Sequence, residues 1–219
     1  MKLIKYPDRS QWDEILKRPV LNTESLFDTV RDIINRVRVG GDRTVMEYEA
    51  MFDKAELTSL AVTLEEIEEA EKEVPIELKA AIYLAKRNIE AFHAAQRFEG
   101  KKVDTMEGVT CWQKAVAIEK VGLYIPGGTA PLFSTVLMLA IPAKIAGCKE
   151  IVLCTPPDKN GKVHPAILFA AHLAGVSKIF KVGGVQAIAS MAYGTESIPK
   201  VYKLFGPGNQ YVTAAKQLP

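Results

Sequence analysis

Three short glycine runs hold the strongest chemical suggestion in the 219-residue sequence: Pro126-Gly127-Gly128-Thr129, Gly183-Gly184-Val185-Gln186 and Gly206-Pro207-Gly208-Asn209. Each separates a β-rich stretch from a stretch of helical character. A turn of that kind leaves unpaired backbone amides at a helix amino terminus, where the helix dipole favours negative charge and glycine lets a backbone approach a phosphate closely. None of the three is a GxGxxG or Walker A sequence, and a lone Gly-Gly before a helix is more often a tight turn than a phosphate cradle. Three on one edge of a parallel sheet point together to a nucleotide or phosphorylated ligand.

The side chains beside these turns suit such a ligand. Tyr124 ends the strand before the first turn, where a phenol stacks on a ring or donates to a ligand oxygen, or simply packs beneath a neighbouring helix. Gln186 and Asn209 each open a helix after a glycine turn, with amides able both to donate and to accept. Plain helix capping accounts equally well for Asn209. His93, His164 and His172 are the only imidazoles, and no two have the i, i+4 spacing of a helical metal site, so structural or surface roles fit them best. Cys148 and Cys154 flank one strand; a thiol nucleophile there would need a lowered pKa and access, whereas a buried free cysteine acts as a small hydrophobe. The acidic run from Glu65 to Glu73 reads as a solvated helix face.

Two kinds of element must position these groups. The first hundred residues read as helices. Asn22 and Thr23 cap a segment with Leu26, Val30, Ile33, Ile34 and Val37 on one face, ended by Gly40-Gly41. Asp42 is placed to cap the next helix, to about Phe52. Thr63-Leu64-Glu65-Glu66 has the form of a capping box. Pro75 suits the first turn of a longer helix to about Arg97, with Leu78, Ile82, Ala85, Ile89 and Phe92 as its apolar stripe. Val103 to Met106 and Val109 to Trp112 flank Glu107-Gly108 as a hairpin, and Ala115 to Ile118 continues as strand.

Beyond a boundary near Lys120 strands and helices alternate. The strands are Val121 to Ile125, Ile151 to Cys154, Lys178 to Val182 and Val201 to Phe205; the helices are Pro131 to Ala146, His164 to Ala174, Val185 to Tyr193 and one opening at about Asn209. Gly147, Gly175 and Gly194 sit where helices should stop. The pattern predicts a doubly wound α/β fold, a parallel sheet covered by helices, spanning 120–219 after a helical segment of 1–119. A net charge of +2 with dispersed lysines gives no basic footprint for nucleic acid. The longest apolar run, Ala130 to Ala143, falls short of the ~20 residues of a membrane span and reads as a buried helix. With no leader at the amino terminus and an odd cysteine count without CxxC spacing, the cytoplasm is the default location.

The string from Val121 to Thr135, with its continuation Ile145-Ala146-Gly147-Cys148, resembles histidinol dehydrogenases. So do Val182 to Ala189 and Phe205 to Val212, and the likeness extends less tightly through Val39-Gly40-Gly41-Asp42 to nearly the whole chain. The resemblance implies an NAD-dependent oxidation of L-histidinol to L-histidine through an aldehyde, by two hydride transfers at the end of histidine biosynthesis. It implies a homodimer with zinc at the substrate site and two intertwined, incomplete Rossmann-like domains. It assigns dinucleotide contact to Tyr124, Gln186 and Asn209, with Pro126 and Gly208 as neighbours. The family's zinc ligands and its Glu-His acid-base pair are implied to lie farther along than Pro219, leaving no catalytic or metal residue here. The chain is then the amino-terminal, NAD-binding half, inactive alone; the alternatives are a non-catalytic nucleotide-binding or oligomerisation module and a thiol-dependent enzyme using Cys148 or Cys154.

Overall fold

A computed structural model describes residues 3–18, 24–128 and 130–219. After a short turn and helix α1 (Trp12–Ile15), the chain runs through α2 (Glu24–Phe52), α3 (Leu64–Glu73) and α4 (Ile76–Ala94) into an antiparallel hairpin, β1 (Lys102–Met106) and β2 (Val109–Trp112). Then follow β3 (Lys120–Tyr124), α5 (Phe133–Ile145), β4 (Glu150–Thr155), α6 (Pro165–Leu173), β5 (Lys178–Lys181), α7 (Gly184–Tyr193), β6 (Lys203–Phe205) and α8 (Gln210–Ala215). The four later strands form one parallel sheet in the order β5-β4-β3-β6. The direction of strand addition reverses at β3, which makes the β3/β6 junction the switch point of a doubly wound sheet.

Strand alternation sends two sets of side chains to opposite faces. Val121, Leu123, Ile151, Leu153 and Ile179 pack with α5 and α6, while Tyr124, Val152, Cys154 and Phe180 pack with α7 and α8. The amino-terminal helices form a further layer on each side: α4 lies on α5, α3 on α6 and α2 on α7. This explains why α6 and α7 are apolar all round, for a helix held between a sheet and another helix has little face left for water. Every residue from Val185 to Met191 is buried. The free edge of β5 is covered by the segment after α2, through Val62 N–H to Ile179 O at 2.9 Å and Lys181 N–H to Leu60 O at 2.8 Å.

Local signals in the sequence translate directly in several places. Thr63 and Glu66 make the reciprocal bonds of a capping box at 3.3 and 2.9 Å. Gly147, Gly175 and Gly194 end their helices at positive φ, and Gly108 turns the hairpin. Other expectations require correction. Ala115 to Ile118 is not a strand: these residues link β2 to β3 without regular pairing. Pro75 stands at the N-cap of α4, one residue before its first turn, and the helix ends at Ala94. Only Gly41, at φ 57° and ψ −146°, breaks α2, so its two parts abut without a loop. Asp42 does not cap its own helix, because its carboxylate accepts from the Ser197 amide and hydroxyl. Glu196 takes the capping role instead, accepting from Asp42 N–H at 2.7 Å. The proposed caps Asn22 and Thr23 lie outside the described residues.

Candidate active site

A cleft of about 1370 Å³ runs along the carboxyl ends of all four parallel strands. Ligand pockets commonly span roughly 300 to 1,000 Å³, so the space exceeds the usual need of a drug-sized molecule. Tyr124, Pro126, Gln186, Gly208 and Asn209 all line it, so the tertiary structure gathers the five residues selected from sequence. Their local partners explain what each has left to offer.

The Tyr124 hydroxyl accepts from Gly184 N–H at 3.0 Å, which ties the β3 end to the turn before α7. Burial, with the Asp53 and Glu49 charges nearby, pushes this phenol up to about 12, so it stays protonated and retains its O–H as a donor. Asn209 caps α8: its Oδ1 accepts from Tyr211 and Val212 N–H at 3.0 and 3.1 Å. Capping thus occupies the oxygen, and the Nδ2 donors carry no protein bond among the described residues. The β6–α8 turn comes so close to β3 that a Cβ on Gly206, at φ 137°, would stand 2.1 Å from Tyr124 O. Only glycine permits that approach, which narrows the crevice at the switch point.

Gln186 is 1% exposed and belongs to a polar cluster that sequence reading did not anticipate. Its Nε2 donates to Glu49 Oε1 at 2.8 Å, and the same oxygen accepts from Gly183 N–H at 3.0 Å. Glu49 is fully buried, and burial raises its carboxyl to about 8 against the pull of these two hydrogen bonds. One helical turn on, Asp53 lines the cleft and is raised from its ordinary range, chiefly by burial. Glu49 and Asp53 escaped sequence reading because Glu49 lies on α2 and Asp53 directly after it, far from the glycine turns along the chain. One signal was present: Val45, Tyr48, Glu49 and Phe52 follow the i, i+3, i+4, i+7 pattern, so a carboxylate stands within an apolar stripe.

The remaining candidates fall into place. His164 caps α6, its Nδ1 accepting from Ala166 N–H at 3.2 Å, and faces the cleft. His93 is bound to Gln96 near the end of α4. Cys154 is fully buried and its thiol is pushed far up, mainly by burial; Cys148 is buried and raised likewise. Neither meets the condition for a thiolate nucleophile. Among the described residues no group of three or more His, Cys, Asp or Glu side chains is placed to hold a metal ion.

A sequence model of the histidinol dehydrogenase family matches residues 16–218. The chain belongs to the histidinol dehydrogenase family. It is 93% identical over 218 residues to histidinol dehydrogenase of Bacteroides fragilis, covering 100% of this chain and 51% of that protein. The Bacteroides thetaiotaomicron enzyme is 80% identical over the same share of each chain. The Escherichia coli histidinol dehydrogenase is 52% identical, over 94% of this chain and 47% of its own. The fold agrees too: the crystal structure of histidinol dehydrogenase from Elizabethkingia anophelis matches with TM-score 0.93 at 51% identity, covering 97% of this chain and 49% of that one. This member of the histidinol dehydrogenase family thus spans about half the length of the curated relatives it matches.

Proposed function

We propose that this chain supplies the NAD-binding half of a zinc-dependent histidinol dehydrogenase, which oxidises L-histidinol to L-histidine in the cytoplasm as part of histidine biosynthesis. The observation that carries the reading is the convergence of Tyr124, Pro126, Gln186, Gly208 and Asn209 on one cleft at the carboxyl edge of the sheet. That edge is where doubly wound sheets receive nucleotides. The residues fit a dinucleotide: space beside Gly128 is open, Tyr124 and Asn209 keep donors, and the buried Oε1 of Gln186 lacks a protein partner among the described residues. NAD bound there would serve as the hydride acceptor. The chain's own part is to bind and orient the dinucleotide.

Zinc does not fit the described residues, which offer no group of three or more His, Cys, Asp or Glu side chains to hold it. We read 1–119 as part of an incomplete first domain and 120–219 as the Rossmann-like domain. A homodimer agrees with the exposed apolar side chains of α4 and the hairpin, among them Tyr83, Leu84, Phe92, Val103 and Trp112. The test is calorimetric titration of the 219-residue chain with NAD, paired with a turnover assay containing histidinol, NAD and zinc. Saturable NAD binding without turnover is expected. No binding at millimolar NAD, or family-like turnover by the chain alone, would overturn the reading.

A further inference from the structure

The buried cluster beneath the β5–α7 turn contains more acid than its hydrogen bonds can use. Glu49 Oε1 is occupied by Gly183 N–H and Gln186 Nε2, while Oε2 is buried with no donor among the described residues. Asp53 stands at the same turn: a Cβ on Gly183, whose N–H donates to Glu49, would lie 3.0 Å from Asp53 Oδ2. Two ionised carboxylates side by side repel, whereas one proton held between them removes one charge from the cluster. Among the described residues no lysine or arginine pairs with either group. From β3 and β4 the cluster faces Tyr124 and Cys154, both held protonated, α7 presents the neutral Gln186, and Lys216 of α8 is bound to the Gly206 carbonyl.

The consequence falls on Gln186. Its two ends differ chemically, and rotation by half a turn would exchange donor for acceptor at nearly the same position. A carboxylate oxygen at 2.8 Å accepts only, so the nitrogen is held on Glu49 and the carbonyl oxygen is left over. That oxygen lies beside Gly184, where a Cβ would stand 2.9 Å from it, and both residues line the cleft.

We propose that Glu49, through a proton shared with Asp53, is the positioning residue for the Gln186 carboxamide. It pins the nitrogen so that the ligand meets an acceptor there and must present a hydroxyl or amide N–H, not a phosphate oxygen. This deepens the NAD reading and rests on it for the identity of the ligand. Ionisation of Glu49, which burial holds up to about 8, makes it a stronger acceptor for the Gln186 nitrogen, so the clamp tightens in mildly alkaline solution.

Nuclear magnetic resonance of the 219-residue chain tests the clamp without ligand. The Gln186 side-chain NH2 pair, assigned by its loss in Gln186→Leu, should titrate with a midpoint near 8 in the wild type and stay constant in Glu49→Gln, which mimics the protonated acid. Addition of NAD should then move the Gln186 Cδ resonance while the NH2 pair remains held. The NAD dissociation constant should fall about fivefold from pH 7 to 9 in the wild type, as the ionised acceptor holds the carboxamide more firmly, and stay level in Glu49→Gln. An NH2 pair indifferent to pH, or one released by NAD, would overturn the proposal, as would equal pH profiles for the two proteins. Failure to bind NAD at all would sink the cofactor reading, and the ligand-free titration would still decide the role of Glu49.

Discussion

The two faces of the parallel sheet are built from the same strands yet do different work. On one face Leu123, Leu153 and Ile151 meet the apolar sides of α5 and α6, with a buried Thr155 at the strand end. On the other, Tyr124 and Cys154 meet α7, and α2 brings Glu49 into contact with Gln186. The first face is stabilised by removing area from water, a term indifferent to pH. The second gives up part of that gain to bury the Glu49 carboxyl against Gln186, which lines the cleft. The contrast separates packing from function within one layer of the fold.

Leu153→Ala should sharpen that contrast most. Truncating a fully buried leucine on the apolar face should cost ~3 kcal/mol, the usual range being about 2 to 5, with the same loss at pH 5 and pH 9 in urea denaturation. Gln186→Glu comes next: a third carboxyl beside Glu49 and Asp53 should cost about 2 kcal/mol at pH 8, and most of this should vanish below pH 5 as the carboxyls protonate. If both variants showed the same pH profile, the two faces would not differ as described.

The wild-type pH profile is a finer probe. Glu49 is raised from 4.5 to about 8, so between those values the folded chain holds a proton that the unfolded chain releases. Its contribution is therefore fully present below about 4.5, declines as pH rises, and is lost above about 8. The slope from this group is at most about 1.4 kcal/mol per pH unit. Subtracting the Glu49→Gln profile isolates it from carboxylates held low elsewhere, such as Glu150, whose main cause is its bond to Lys178. The smallest effect should come from Thr63→Ala, which removes half of the capping box of α3 and should cost ~1 kcal/mol in urea denaturation.

Much of the architecture was legible because its causes are local. The periodicity of Val121 to Phe205 named four strands and their helices, and glycines at helix ends marked the stops. The glycine turns and their flanking Tyr124, Gln186 and Asn209 are legible from residue type and spacing alone, and residues of all three turns line one cleft. Ala115 to Ile118 failed as a strand because β-rich composition does not provide a partner for the backbone. Asp42 failed as a cap because Ser197, 155 residues away, competes for its carboxylate.

By itself, then, the sequence determined which residues turn, which faces are apolar and where backbone amides lie unpaired, since each depends on neighbours within a few positions. Only the tertiary structure decided that α2 crosses α7 with Glu49 over Gln186, 137 residues apart, and that Gln186 is buried on an acid. The physical reason is that local pattern specifies a surface and leaves its partner open. The partner is chosen by how the helices stack on the two sides of the sheet.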